Sequence, residues 1–210
     1  MSKSRRVKPM FSLTPVQFRD SPIAGRGVFA RRHFAPGDVV TPYAPNQRRV
    51  AASDPDAAEA AETRLTLLSG DEVIIPDTAV PGGWLCNHSC NPNATLYSSG
   101  AGRIQCTRPI APGEEVTIFY GWVSHNEPTR DPCRCGAPAC RGFINFDLAD
   151  DDLNDIRVEA GQVVLDDAMR ERLAEYGRFL RAIGQEQVLE VIARTLVRIK
   201  ARPRGSTVCA

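Results

Sequence analysis

The sequence predicts a mostly β fold of short strands with a helical extension at its C-terminal end. Three observations predict it. Gly and Pro account for 16 residues each of 210, so turns are frequent. The apolar, β-branched runs are short and are bounded by turn dipeptides such as Pro36-Gly37 and Pro112-Gly113. Helical periodicity becomes sustained only after about residue 166, where Met169, Leu173, Tyr176 and Leu180 recur at three- and four-residue spacing. Strands and helices do not alternate, and no long Gly-rich loop opens a helix, so a doubly wound nucleotide-binding fold is disfavoured.

Residues 1–17 carry charge and proline without periodicity and are expected to be a flexible N-terminal segment. Strand-like runs follow at Gly27–Arg31 and Asp38–Tyr43, on either side of Pro36-Gly37. Asp54-Pro55 fits an N-cap followed by Pro at the first helical position, and the Ala-rich run to Leu68 predicts a short helix closed at Gly70. Glu72–Ile75 predicts a strand ended by Pro76. Ala94–Tyr97 and Arg103–Thr107 flank a hairpin loop at Ser98–Gly102, and Glu115–Tyr120 is a further strand. The five aspartates between Asp147 and Asp155 lack the glycine and terminal glutamate of a calcium loop and read as a solvated linker. The helix from Asp166 is expected to end near Gly184. A second apolar stripe, Val188, Leu189, Ile192, Leu196 and Ile199, predicts another helix stopped by Pro203, with a basic end and a face suited to a homodimer contact.

Twenty-six basic and 25 acidic side chains leave a net charge of +1, which gives no support for a chain built to coat nucleic acid. No apolar stretch reaches the roughly 18 residues needed to span a bilayer, and no apolar segment follows the basic N-terminus as in a secretory signal. The expected compartment is the cytoplasm, or the nucleus if the source is a eukaryote.

Seven cysteines without an export signal read as thiols or metal ligands rather than as a disulfide framework. Cys133, Cys135 and Cys140 fall within eight positions in a loop of Pro, Gly and Arg. Structural zinc wants four tetrahedral ligands, so one must come from elsewhere; Cys86, Cys90 and Cys106 are the candidates. A redox pair with a bystander explains the triplet less well. Metal binding here would contribute directly to folding, because so polar a loop cannot order itself by burial.

The sharpest string is Asn87-His88-Ser89-Cys90-Asn91-Pro92-Asn93. Upstream lies Arg19-Asp20-Ser21-Pro22-Ile23-Ala24-Gly25-Arg26-Gly27-Val28-Phe29-Ala30, and downstream Gly113-Glu114-Glu115-Val116-Thr117-Ile118-Phe119-Tyr120-Gly121. These strings, in this order and followed by the cysteine triplet, resemble the SET-domain family of S-adenosylmethionine-dependent protein-lysine methyltransferases. The resemblance covers about residues 18–146. It implies a SET (β-clip) fold of small curved sheets with a pseudoknot near the active site. It divides the chain into a SET domain at 18–124, a post-SET zinc loop at 125–146, and a linker with a helical extension at 147–210.

The resemblance also implies roles. Gly25, Arg26 and Gly27 would lay their backbone against S-adenosylmethionine, Asn87 would orient its polar groups, and His88 would help hold the adenine. Phe143 or Phe146 would wall the cofactor. Tyr120 would be the catalytic tyrosine, also touching the cofactor, and Tyr43 would line the lysine channel or simply pack in the core. Cys90, Cys133, Cys135 and Cys140 would hold structural zinc. The expected substrate is a protein lysine; a small-molecule amine is the alternative, and a catalytically silent interaction module the third reading. Three positions depart from the common family pattern. Ile118 stands where Phe or Tyr influences how many methyl groups are added, Phe119 where Asp is frequent, and Trp84 where Arg is frequent.

Overall fold

The computed structural model describes residues 14–61, 65–69, 71–120, 123–125, 131–144, 146–148, 156–159, 162–165 and 167–182. Two matched turns organise the domain. Ala35-Pro36-Gly37-Asp38 and Ala111-Pro112-Gly113-Glu114 each close a bond between the first and fourth residues, Asp38 N–H to Ala35 O at 3.0 Å and Glu114 N–H to Ala111 O at 3.1 Å. Pro presets the second position, and Gly takes positive φ at the third (+92° and +85°), as a type II turn requires. In each, the acid's side chain also accepts from the first residue's N–H, Asp38 from Ala35 at 3.1 Å and Glu114 from Ala111 at 3.0 Å. The residues preceding the turns, Phe34 and Ile110, exchange both backbone hydrogen bonds at 3.0 Å, which sets the two turns side by side.

Around them lie three small sheets. The first has four strands, β1 (Val16–Asp20), β2 (Arg26–Ala30), β10 (Glu115–Ile118) and β7 (Asn87–His88), in the order β1-β2-β10-β7. Its last pair is parallel, with Thr117 opposite Asn87 and Ile118 opposite His88. The second is β3 (Val39–Pro42), β9 (Arg103–Cys106) and β8 (Ala94–Tyr97), in the order β3-β9-β8. The third is β4 (Gln47–Ala51), β6 (Glu72–Pro76) and β5 (Leu67–Ser69), in the order β4-β6-β5. Val28, Val40, Ile74, Ile104 and Val116, one or two from each sheet, interlock with Phe34 and Ile110 in one fully buried core. Burial of each such side chain is worth about 1.5–3 kcal/mol.

The mostly β character stands, with α-helix confined to short α1 (Pro55–Ala61) and to α2 (Asp167–Ala182) among the described residues. Asp54 caps α1 as expected, its carboxylate accepting from Asp56 N–H at 2.9 Å. Three readings shift. β1 begins at Val16, which is 3% exposed, so residues 14–17 belong to the folded domain rather than to a flexible lead. α1 stops at Ala61 instead of running to Leu68, because Leu67–Ser69 pairs with β6 as a strand. The stretch after residue 146 is more than linker and helix. It carries β12 (Phe146–Leu148), parallel to β11 (Val123–His125), and a hairpin of β13 (Ile156–Glu159) and β14 (Gln162–Leu165). The β-branched run Val163-Val164 carried that signal, and the neighbouring aspartates masked it. The C-terminal helix is present as α2, with Met169, Tyr176 and Leu180 buried as the stripe predicts. The expected second helix and Gly184 lie outside the described residues, as does Cys209.

Candidate active site and cysteine cluster

Ser21 to Gly27 makes a tight loop between β1 and β2, closed by Ser21 N–H donating to Gly25 O at 2.8 Å. Gly25 sits at φ +46°, and a side chain there would meet nothing within 4 Å, so one side of the loop is open. Gly27 has the opposite constraint. A Cβ on it would lie 2.3 Å from Glu115 Oε1. The loop therefore lies against β10 because its second glycine has no side chain. Arg26 opens β2 with an exposed side chain, and its carbonyl faces inward.

Asn87 holds this loop. Its Nδ2 donates to Ala24 O at 3.1 Å, Arg26 O at 3.3 Å and Glu115 Oε1 at 2.8 Å. Ser21 Oγ completes the set, lying 2.8 and 2.9 Å from the two Glu115 carboxylate oxygens. Asn93 does the same work for the following turn. It is 1% exposed; its Nδ2 donates to Glu115 O at 2.7 Å and to Glu114 Oε1 at 3.0 Å, and its Oδ1 accepts Thr117 N–H at 2.8 Å. The Asn-rich string thus fastens β10 to the glycine loop through side-chain amides. Gly27→Ala is expected to force Glu115 off Asn87 and to destabilise the fold by about 1–3 kcal/mol, as overpacking typically does. Chemical denaturation measures it.

His88 is 2% exposed. Its Nδ1 accepts Tyr120 N–H at 3.2 Å, so the neutral ring carries its proton on Nε2, which faces Cys90 Sγ at 3.5 Å. Burial, with the nearby Arg141 charge, pushes its pKa down to about 4, so the ring is neutral at physiological pH. Both ring nitrogens are therefore engaged inside the protein. Tyr120 is half-buried, and its hydroxyl donates to Cys86 O at 2.9 Å. Burial, then the neighbouring Cys86, raises its pKa well above the usual tyrosine value, so the hydroxyl stays protonated. Tyr43 sits in the same core cluster at 6% exposure, its hydroxyl donating to Leu65 O at 2.6 Å. Burial and Tyr120 raise its pKa in the same direction. Trp84 and Ile118 pack in that cluster too, with Trp84 Nε1 donating to Val80 O at 3.1 Å.

Cys90, Cys133, Cys135 and Cys140 converge, their Sγ atoms all within 4.8 Å of one another. Cys90 Sγ is 3.8 Å from Cys133 Sγ and 4.0 Å from Cys140 Sγ. A tetrahedral ion with metal–sulfur bonds of roughly 2.3 Å separates its sulfurs by about 3.8 Å, so the cluster fits one. Of the candidates for the fourth position, Cys90 joins the triplet, while Cys86 and Cys106 are buried elsewhere in the core. At Cys135 burial opposes ionisation. The N–H groups of Cys90 and Ala137 and the neighbouring thiols outweigh it and bring the pKa down to about 7.

The residues that composition and motif reading passed over lie on α2 and next to the cluster. The Arg141 guanidinium stands 4.4 Å from the Phe143 ring, 4.6 Å from Tyr176 and 5.2 Å from Phe179. Phe119 is 5% exposed and packs against His88 on one side and Phe179 on the other, at centroid distances of 4.9 and 5.8 Å. An aspartate at position 119 would put a charge in this apolar contact, which accounts for the departure there. Phe179→Ala is expected to lower unfolding free energy by about 2 kcal/mol and to raise amide exchange across residues 131–144, read by hydrogen exchange with mass spectrometry. Phe143 lies under Arg141; the Phe146 side chain lies outside the described residues.

Residues 25–121 match the family model of the SET domain. This chain contains a SET domain. The match runs from Gly25 to Gly121 and so takes in the glycine loop, Asn87–Cys90 and Tyr120, leaving Cys133, Cys135, Cys140 and α2 beyond its end. The chain also has named relatives. Over 157 residues, 70% of this chain, it is 32% identical to "Histone-lysine N-methyltransferase TRX1" of Oryza sativa subsp. japonica, covering 15% of that protein. It is 30% identical over 141 residues to "Histone-lysine N-methyltransferase, H3 lysine-4 specific" of Yarrowia lipolytica, covering 62% of this chain and 12% of that one. The same-named protein of Saccharomyces cerevisiae is 32% identical over 147 residues, at 62% and 13% coverage. The chain thus corresponds to a small part of these relatives.

Proposed function

We propose that this protein is an S-adenosylmethionine-dependent methyltransferase acting on the side-chain amine of a lysine in a protein. One observation carries the reading. The Gly25–Gly27 loop, the Asn87–His88 strand and Tyr120 are tied into one hydrogen-bonded unit, and all belong to the matched SET domain. The relatives' names as histone-lysine N-methyltransferases support a protein substrate. In this reading the open side of the Gly25 loop, the main chain at Asn87 and His88, and Phe143 hold the cofactor, Arg26 contributing its backbone. With both ring nitrogens of His88 engaged, it serves the adenine through its main chain rather than through its imidazole.

Bound S-adenosylmethionine would supply an electrophilic methyl group, with the neutral thioether as its leaving group. The protein's part is to deliver the lysine amine neutral and aligned. Lysine's ordinary pKa is about 10.4. In this reading Tyr43, Trp84, Ile118 and Tyr120, which share one core cluster, line the lysine channel and disfavour the amine's charged form by desolvation. Tyr120, fixed by Cys86 O and His88 Nδ1, orients the incoming nitrogen and is not a nucleophile. Ile118, 4% exposed, narrows the channel without a hydroxyl to hold a water. Cys90, Cys133, Cys135 and Cys140 hold a structural zinc ion that fixes the loop against His88. No helix among the described residues is long and apolar enough to cross a membrane, and the reading assigns the protein to the cytoplasm, or to the nucleus of a eukaryote. The expected homodimer through the C-terminal helices falls largely on residues outside the described ones.

The test is S-adenosylhomocysteine release by the full chain, with a histone mixture and, separately, with free small amines. Turnover on histones is expected. Turnover confined to small amines contradicts the protein substrate, and binding without turnover on any amine favours a silent module.

A further inference from the structure

Glu115 is not explained by fold alone. Its half-buried carboxylate lies directly behind Gly27 and is hydrogen-bonded only by neutral donors, Ser21 Oγ and Asn87 Nδ2. Among the described residues no cation pairs with it, whereas its neighbour Glu114 has Arg108 at 2.9 Å. Its charge is felt at Cys86 and Tyr120, whose ionisation it opposes. A carboxylate drawn out of water without a counter-ion is costly unless something positive occupies the space it faces. The groups around it are the glycine loop and Asn87, which the proposed reading sets against the sulfonium cofactor.

We propose that Glu115 is a specificity-determining residue of the cofactor site, its negative charge favouring the cationic sulfonium cofactor over the uncharged thioether product. This rests on the methyl-transfer reading above. S-adenosylmethionine and S-adenosylhomocysteine carry the same amino-acid and nucleoside groups, and they differ at the sulfur by one methyl and one positive charge. A fixed carboxylate behind the loop would distinguish them by Coulomb attraction, while the hydrogen bonds of Asn87 and the loop backbone treat them alike. The same asymmetry helps product leave once the charge has gone. Ser21 and Asn87 hold the carboxylate in place and add no charge of their own.

Calorimetric titration of the full chain with each ligand tests this. Glu115→Gln keeps the side chain's shape and hydrogen-bonding capacity and removes its charge. It is expected to weaken S-adenosylmethionine about tenfold and to change S-adenosylhomocysteine less than about threefold. Ser21→Ala, which removes a hydrogen bond and leaves the charge, is expected to weaken both equally. Glu115→Ala gives the same lost preference as Glu115→Gln and serves if the latter does not fold. Equal weakening of both ligands by the Glu115 variants, or no change in either, overturns the proposal and reduces Glu115 to a loop support. Wild-type protein that binds neither ligand overturns the methyl-transfer reading itself.

Discussion

Tyr120→Phe is expected to slow methyl transfer by about two orders of magnitude while leaving S-adenosylmethionine affinity within roughly threefold. The split follows from where the hydroxyl sits. Tyr120 is anchored through its backbone N–H on His88 Nδ1 and through its ring against His88 at 5.4 Å, and Phe keeps both contacts. What Phe loses is the hydroxyl that Cys86 O fixes at 2.9 Å. In the proposed reading that oxygen is the polar group that orients the amine, so its loss touches alignment of the amine rather than cofactor grip. The stability cost is that of one hydrogen bond, about 1 kcal/mol. Single-turnover rates and calorimetric titration on the same preparation check both halves. Full activity removes Tyr120 from the mechanism.

Loss of the cysteine cluster is expected to have the larger structural effect. Purified protein should contain about one zinc ion per chain. Cys135→Ser, or a strong chelator, should remove it and unfold residues 131–144. Besides the four sulfurs, Arg141 and a few backbone hydrogen bonds hold that segment among the described residues. Its backbone contacts are few, Cys133 N–H to Gly142 O and Ile144 N–H to Asp131 O among them, and most of its residues are exposed or half-buried. Zinc binding worth roughly 10 kcal/mol is then folding energy for the segment. Because Arg141 connects the cluster to Tyr176 and Phe179, protection in α2 should fall with it. Elemental analysis with hydrogen exchange reads both. Protein without zinc whose residues 131–144 and 167–182 stay protected contradicts a structural metal.

The parts of the site that depend on a residue's own chemistry were legible in the sequence. Thiols at metal spacing, a glycine pair and an Asn-His-Ser-Cys string each have few physical explanations, and the four cysteines do converge. The short-strand architecture was legible for the same reason, since Pro-Gly fixes a turn whatever surrounds it. What escaped depends on contacts between distant segments. Glu115 and Ser21 are ordinary polar residues until the fold sets them 94 positions apart in sequence and 2.8 Å apart in space. Leu67–Ser69 reads as a helix end until β6 offers it an edge. Tyr176 and Phe179 look like a packing stripe, and nothing local says that they surround an arginine of the cysteine loop. Phe119 became intelligible only with α2 beside it.

The most direct test of the central claim is to incubate the full chain with S-adenosylmethionine carrying a labelled methyl group and an unfractionated histone mixture, then digest the proteins and locate the label. The account predicts label on lysine ε-nitrogens, matched by released S-adenosylhomocysteine and abolished by Tyr120→Phe. Label on another atom, or none from protein that binds the cofactor, contradicts it.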